Sequence, residues 1–289
     1  MTDQVLKNKN AVVTGASRGL GLAIAQAYVS AGANVVVCGR DQKTLAEAVR
    51  QIESVAKRGQ SVLAVQADVA QEADAERLIR ETLSVFGAVD ILVNNAGVYG
   101  PLGAIEDVDW ESWVEAIQIN LMGSVYLCRQ VVPFMKKQQR GKIVQISGGG
   151  ATNPLARITA YAASKAAVIR FMESLALELA EFNIDVNAIA PGALNTRMLQ
   201  EVLAAGPEKV GADFYKKSLQ QEESGGAPLE KGAALAVYLA SSQSDGLTGR
   251  LLSALWDPWP FSAERLEALK KSDMFTLRRI VPADRGLEW

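Results

Sequence analysis

A tyrosine and a lysine stand four residues apart in the run Tyr-Ala-Ala-Ser-Lys, which begins at Tyr161 and ends at Lys165. Positions i and i+4 share one face of a helix, so the phenol and the ammonium would lie side by side. A neighbouring ammonium favours the phenolate and lowers the pKa of a tyrosine from its ordinary value of about 10. Tyr161 could then exchange a proton with an alcohol or a carbonyl at neutral pH. The pair is common, however, and alone it is better explained as a packed tyrosine beside a surface lysine.

A glycine-rich turn follows the first apolar run and opens a helical pattern, in the sequence Thr-Gly-Ala-Ser-Arg-Gly-Leu-Gly from Thr14. Glycine lets the backbone turn tightly and lets a pyrophosphate approach without a Cβ in the way. The helix N-terminus then offers N–H groups and the positive end of its dipole to the phosphates. The alternative is a tight turn without a ligand. The predicted cofactor contacts are Gly15, Ser17, Arg18, Gly19, Leu20 and Gly21.

The end of the second apolar run bears on the choice between NAD and NADP. An acidic residue at this place would bind the ribose hydroxyls, but Gly39 stands there and Arg40 follows. Two guanidiniums, those of Arg18 and Arg40, suit a 2′-phosphate, so we expect NADP (as NADPH) rather than NAD. Alternatively Arg40 is a solvated loop residue. Asp41 is expected to cap the next helix in either case.

Short β-branched runs alternate with amphipathic helical patterns along most of the chain. This rhythm predicts an α/β fold, a doubly wound seven-stranded parallel sheet with helices on both faces. The segment 195–229 interrupts it with glycine and proline breakers, as insertions that cover ligand sites do. The segment 256–289 also lies outside it. The predicted strands are Ala11–Thr14, Asn34–Cys38, Val62–Val65, Ile91–Asn94, Ile143–Ile146, Ile184–Ile189 and Leu251–Leu255.

Composition excludes several classes of protein. Among the 289 residues, 30 Lys and Arg against 32 Asp and Glu give a net charge of −2, which argues against a general nucleic-acid binder. The sequence has no histidine, which removes Ser-His-Asp hydrolysis and histidine-based metal sites; no metal is expected. Cys38 and Cys128 are expected to be buried, reduced thiols. The N-terminus is polar and no apolar run could span a membrane, so we expect no signal peptide and a cytoplasmic protein.

Further motifs extend the pattern to about residues 5–255. Taken with the glycine turn and the Tyr–Lys pair, they make the sequence resemble the short-chain dehydrogenase/reductase family in its short, single-domain form. The resemblance implies a Rossmann fold over residues 1–255, with 195–229 as a substrate-loop insertion and 256–289 as a C-terminal extension. The motifs that carry it are Asp68-Val69, Asn94-Asn95-Ala96-Gly97, Asn120, Ser147 and Pro191-Gly192.

The resemblance also implies a role for each motif. Tyr161 would be the proton donor or acceptor, Lys165 would hold the nicotinamide ribose and tune Tyr161, and Asn120 would anchor a water in a proton relay. Two alternatives remain open, because Asn94 could chiefly stabilise the sheet and Asn120 could mark a helix kink. The other implied cofactor contacts are Asp68 and Val69 near adenine, Asn95, Ala96 and Gly97 along the cleft, and Pro191, Gly192 and Thr196 on the carboxamide side.

Two departures from the family pattern put parts of this scheme in doubt. The substrate-orienting serine usually lies 13 residues before the tyrosine, and Gly148 stands there, with Ser147 one residue earlier. Either the glycines shift the backbone so that Ser147 reaches the site, or the usual hydroxyl is missing. The extension carries Trp256, Trp259 and Phe261, which could stack on a ligand but are more simply explained by packing on the protein's own core or on a neighbouring subunit.

The combined interpretation is an NADP-dependent oxidoreductase that transfers a hydride between nicotinamide and a secondary alcohol or ketone. The alternatives are a catalytically degenerate member acting as a nucleotide sensor or scaffold, and a different chemistry of the same family such as a dehydratase. The alanines of Ala160–Ala167 would let two helices approach closely, so we expect a homodimer or homotetramer.

Overall fold

The computed structural model describes residues 4–288. Within them, seven parallel strands form one sheet in the order β3-β2-β1-β4-β5-β6-β7. The doubly wound Rossmann-type sheet predicted from the sequence is confirmed. The order reverses between β1 and β4, where ligands of such folds bind. The strands are β1 (Asn10–Thr14), β2 (Asn34–Gly39), β3 (Val62–Gln66), β4 (Ile91–Asn94), β5 (Gly141–Ile146), β6 (Ile184–Ala190) and β7 (Leu251–Ser253).

Helices cover both faces of this sheet. One apolar layer contains residues of α1, α2 and α9, and the other contains residues of α3, α5 and α6. Both faces of each central strand are therefore buried, which explains why the strands are apolar runs without polar alternation. The helices are α1 (Gly19–Ser30), α2 (Gln42–Glu53), α3 (Glu72–Phe86), α4 (Trp110–Ile117), α5 (Gly123–Gln138), α6 (Thr159–Leu179), α7 (Arg197–Val210), α8 (Ala212–Ser224), α9 (Leu229–Ala240) and α10 (Ala263–Lys270).

The last strand is shorter than the predicted run Leu251–Leu255, because a polar turn ends it. The Asp257 carboxylate accepts a hydrogen bond from Ser253 N at 2.6 Å, and Ser253 Oγ accepts bonds from the two backbone N–H groups at 255 and 256. This turn directs the chain away from the sheet after β7.

Residues 110–138 do not form one continuous α-helix. A π-helical turn, Gln118–Met122, separates α4 from α5 and contains Asn120. Such turns widen the helix by one residue and often mark functional positions. The sequence left a helix kink at Asn120 open as an alternative, and the structure has a π-helical turn there, flanked by residues with helical backbone angles.

The insertion 195–229 forms two helices rather than an irregular loop. Gly206 has a φ of 77° inside α7 and bends it, Gly211 (φ 86°) separates α7 from α8, and Gly225 (φ 84°) ends α8. The glycines that interrupt the pattern in the sequence thus bend, separate or end helices. No helix within residues 4–288 combines the length and apolar character needed to cross a membrane.

The C-terminal extension crosses the open edge of the sheet as a strap, defined here as residues 256–281. On one face the Trp259 ring stacks on Tyr238 of α9 with centroids 6.3 Å apart, and Phe261 is buried. At the edge, Leu251 N of β7 donates to Phe275 O at 2.8 Å. On the other face, Leu277 N donates to a Glu173 carboxylate oxygen of α6 at 2.6 Å. The structure therefore places Trp259 and Phe261 against the protein's own core, whereas Trp256 is 79% exposed and does not pack there.

Because the strap fills the core, truncating one of its buried side chains should destabilise the whole domain. Leu269 of α10 is only 3% exposed, and we expect Leu269→Ala to lower the free energy of unfolding by about 2 to 4 kcal/mol. Urea denaturation followed by circular dichroism measures this. The control is Leu287→Ala, whose side chain is 47% exposed and whose loss should cost under about 0.5 kcal/mol. Equal stability of both variants would contradict a core role for the strap.

Candidate active site

The glycine turn lies at the carboxyl end of β1, where the strand order reverses, and only glycines fit it. Gly15 and Gly19 have φ of 60° and 56°, which side chains disfavour. A Cβ on Gly15 would lie 2.9 Å from Ala96 Cα, and one on Gly21 would overlap Asn95 Nδ2 and crowd Gly15 O. The turn is thus packed against the segment that follows β4.

Polar contacts fix this packing. Thr14 Oγ1 accepts hydrogen bonds from Asn95 N at 2.9 Å and Ala96 N at 3.0 Å. In return, Asn95 Nδ2 donates to Thr14 O at 2.8 Å and Gly15 O at 3.1 Å. The predicted contacts Asn95 and Ala96 therefore form one unit with the glycine turn.

The turn fits the phosphates of a dinucleotide. No side chain caps the N-terminus of α1, whereas Asp41 caps α2, as expected, and Asp109 caps α4. The first N–H groups of α1 are therefore available to an anion, beside a turn whose missing Cβ atoms allow close approach. Gly15, Ser17, Gly19 and Gly21 would hold the pyrophosphate there.

The predicted carboxamide-side residues meet this turn across the cleft. A Cβ on Gly19 would lie 3.5 Å from Thr196 Cγ2, and one on Gly232 of α9 would touch both Leu20 and Pro191. Gly192 has a φ of 91° and packs against Leu255 at the end of the domain.

The ends of β2 and β3 form the far side of the cleft. A Cβ on Gly39 would lie 3.6 Å from Ser17 Oγ. The position at which an acidic residue would bind the ribose hydroxyls therefore lies next to the glycine turn. Arg18 and Arg40 are exposed. The Arg40 guanidinium forms a long ion pair of 3.8 Å with exposed Glu115, a contact that holds it weakly.

A surface cleft of about 460 Å³ runs from Arg40 to Asp68. Asp68 Oδ1 accepts a hydrogen bond from Ala70 N at 3.0 Å, and Asp68 N donates to Asp74 Oδ2 at 2.8 Å. Val69 is buried against Gly123 of α5. The loop predicted to contact adenine is therefore held from both sides.

Asn120 ties the loop after β4 to helix α6. Its Oδ1 accepts from Val98 N at 2.8 Å, and its Nδ2 donates to Val98 O at 2.9 Å and Ser164 Oγ at 2.9 Å. Sequence reasoning assigned no role to Ser164, although it lies inside the Tyr–Lys run; its hydroxyl also donates to Tyr161 O at 2.8 Å. Asn120 as an anchor for a water stays a prediction.

Lys165 lies beneath the same loop. Its Nζ donates to Ile146 O at 2.8 Å, and a Cβ on Gly97 would lie 3.5 Å from Nζ and 3.2 Å from Asn120 Oδ1. The structure therefore brings Gly97, Asn120 and Lys165 together. Burial lowers the pKa of Lys165 to about 8, because the ammonium loses its water shell.

Tyr161 is buried at the start of α6, and its ring meets that of Tyr99 edge to face, with centroids 4.8 Å apart and planes at 72°. Burial raises the pKa of the Tyr161 phenol well above its usual value, and the neighbouring Tyr99 adds to this. The lowered pKa expected from Lys165 is not found here, because the ammonium lies over the ring, 5.8 Å from its centroid, and desolvation outweighs it. Tyr161 thus carries its proton at neutral pH in this structure.

Gly148 leaves the space that the Tyr161 hydroxyl uses. A Cβ on Gly148 would overlap Tyr161 Oη and lie 2.8 Å from Cζ. The Ser147 hydroxyl is buried and has no hydrogen-bond partner among the described residues. The structure therefore does not join Ser147 to Tyr161, and its catalytic role stays a prediction.

Arg157, in the loop before α6, contacts the insertion. Its Nη1 donates to Glu208 O at 2.9 Å near the C-terminal end of α7. The guanidinium thus joins the loop before α6 to the insertion.

The sheet order, the glycine turn and the grouping of Tyr161, Lys165 and Asn120 define a dinucleotide-binding protein of Rossmann type. A family model described as "short chain dehydrogenase" matches residues 9–206. The chain is 36% identical over 237 residues to a rabbit (Oryctolagus cuniculus) L-fucose dehydrogenase, covering 82% of this chain and 80% of that protein. It is 39% identical over 249 residues to 3beta-hydroxysteroid dehydrogenase 1 of Eggerthella lenta, covering 86% and 92%.

Among solved structures, an NAD+-bound xylitol dehydrogenase superposes with a TM-score of 0.79 at 25% identity, over 86% of this chain and 98% of that one. The chain belongs to the short-chain dehydrogenase/reductase family. The predicted enzyme class, a nicotinamide-dependent oxidoreductase acting on CH–OH groups, is confirmed at that level.

The contact between Gly148 and Tyr161 predicts different effects for neighbouring glycines. Gly148→Ala must move the Tyr161 hydroxyl, and displacement of a reacting group by about 1 Å costs about 100-fold in rate. Gly149→Ala should retain turnover within about twofold, because a Cβ there meets nothing within 4 Å. Steady-state rates of the two variants, with thermal unfolding to check their folding, make the comparison. Equal rates would refute the steric argument.

Proposed function

We propose that this protein is an NADP-dependent oxidoreductase of secondary alcohols and ketones, in which Tyr161 donates or accepts the proton. The observation that carries the proposal is the grouping of the buried Tyr161 ring with Lys165 and Asn120 next to the segment that packs on the glycine turn. The residues there fit the nicotinamide cofactor that the family binds, which supplies or accepts a hydride when bound.

In reduction, the Tyr161 hydroxyl would give its proton to the carbonyl oxygen as the carbon gains a hydride. In oxidation it would take the alcohol proton. Lys165 would hold the nicotinamide ribose, and its positive charge beside the phenol would stabilise the phenolate left by proton transfer. Asn120 would anchor the water of a relay that restores the proton, from a position fixed by Val98 and Ser164.

The preference for NADP rests on the ends of β1 and β2. Gly39 offers no carboxylate to the ribose hydroxyls, and the space beside it opens onto Ser17. Two exposed guanidiniums, of Arg18 and Arg40, would pair with a 2′-phosphate in charge-assisted hydrogen bonds. With NADP, the expected direction in a cell is reduction.

Assembly and location are parts of the same proposal. The alanine-rich start of α6 supports close pairing of two copies, as a homodimer or homotetramer. Cys38 and Cys128 are buried thiols that form no disulfide, which is consistent with the proposed reducing, cytoplasmic setting.

The cofactor preference can be measured by fluorescence titration with NADPH and NADH. We expect tighter binding of NADPH, and we expect Arg40→Ala to weaken it about tenfold or more, since a charge-assisted contact is lost. Affinity for NADH should stay within about twofold. Arg58→Ala, an exposed arginine in the turn between α2 and β3, is the control. Tighter binding of NADH by the unmodified protein would overturn the preference for NADP.

The proton-transfer role predicts the behaviour of Tyr161→Phe. General acid catalysis contributes about 10²- to 10⁴-fold, so kcat should fall by that factor while NADPH binding is retained. The assay offers L-fucose, xylitol and a 3β-hydroxysteroid, and the corresponding ketones with deuterated NADPH. Transfer of deuterium to the product identifies simple redox chemistry. Substantial turnover by the Phe variant would remove Tyr161 from this role.

A further inference from the structure

A second phenol faces Tyr161 from the loop after β4. The rings of Tyr99 and Tyr161 are in edge-to-face contact at 4.8 Å. The backbone just before Tyr99 is held firmly, because both the N–H and the C=O of Val98 bind the Asn120 side chain. Tyr99 is therefore positioned by the same amide that supports the site around Tyr161.

On another side of the Tyr161 hydroxyl, the position where the family usually has a serine has no side chain. The side-chain direction at residue 148 points at Tyr161 Oη, but that residue is a glycine. Its backbone is extended (φ −166°, ψ 172°), and neighbouring residues of an extended chain point to opposite sides. Ser147 therefore points away from Tyr161, to the side on which Gln145 contacts Cys128 of α5 at 3.6 Å.

Tyr99 has the proton that an orienting donor needs. Burial raises the pKa of its phenol, and the carboxylate of Glu201 raises it further, so the hydroxyl is neutral at physiological pH. Glu201 belongs to α7, so the Tyr99 side chain lies within electrostatic reach of the substrate-loop insertion as well as against Tyr161. A substrate oxygen beside the Tyr161 hydroxyl would thus have a second phenol at hand.

We propose that the Tyr99 hydroxyl is the second hydrogen-bond donor to the substrate oxygen, in the place that a serine hydroxyl would otherwise fill. The inference rests on the proposed function. In reduction, the carbonyl carbon would gain a hydride from the reduced nicotinamide cofactor, which would be oxidised, while the π electrons of the C=O bond would move to oxygen and the Tyr161 O–H bond would break to supply the proton. Tyr99 keeps its own proton and stabilises the negative charge that develops on the oxygen.

The test compares variants that each remove one hydroxyl. Tyr99→Phe keeps the ring contact with Tyr161, so a merely structural role predicts no effect. We expect instead a loss of about 100- to 1,000-fold in kcat, with NADPH affinity and thermal stability unchanged. Ser147→Ala is the competing variant and should lose less than Tyr99→Phe. Tyr126→Phe, a phenol on α5 outside the site, is the control and should match the unmodified enzyme.

The assays use the same three alcohols and their ketones, with NADPH or NADP+. A kcat of Tyr99→Phe within about threefold of the unmodified enzyme overturns the inference, as does a loss in Ser147→Ala equal to or above that in Tyr99→Phe. If the unmodified enzyme turns over none of these compounds while binding NADPH, the proposed function fails first, and this inference fails with it.

Discussion

The side chain of Asn120 is the contact on which the arrangement of the site depends. One buried amide binds both backbone groups of Val98 and the hydroxyl of Ser164, so it joins the loop after β4 to α6. It reaches them from a π-helical turn, which breaks the regular helix that would otherwise run from α4 into α5. Burying an amide costs free energy unless its polar atoms form hydrogen bonds. We therefore expect the π-helical turn and these three hydrogen bonds to depend on one another. Tyr161, Lys165 and Tyr99 all lie on elements that this amide fixes.

The second constraint is the absence of side chains at a few positions. A Cβ on Gly21 would overlap the amide of Asn95, and one on Gly148 would overlap the hydroxyl of Tyr161. In the first case glycine brings the turn close to the segment after β4, which prepares the phosphate site. In the second case the missing side chain of Gly148 leaves the space that the Tyr161 hydroxyl occupies. Gly150 acts similarly, because a Cβ there would lie 2.7 Å from Ala162 Cα and hold the turn away from α6. The packing of α6 therefore explains Gly148 and Gly150, whereas a Cβ on Gly149 would meet nothing within 4 Å.

The sequence predicts most of the fold because burial on both faces leaves a direct signal. Strands such as β1 and β2 are apolar at every central position, and the helices between them bury one apolar stripe. The continuous apolar runs and the helical spacing of apolar residues are therefore both recognisable in the sequence. The glycine turn and the Tyr–Lys spacing are equally local. The π-helical turn could not be predicted, since it depends on Val98 and Ser164, which lie 22 and 44 residues from Asn120. The raised pKa of Tyr161 has the same origin, because spacing reveals a neighbouring charge but not the degree of burial.

The strap shows how tertiary contacts also limit assembly. Edge strands expose unpaired N–H and C=O groups that can pair with another chain. Here Leu251 N of β7 is bonded to Phe275 O, and the Arg250 guanidinium binds Leu269 O and Met274 O. The chain thus covers its own open edge at β7, and two copies could not extend one sheet through it without displacing these bonds.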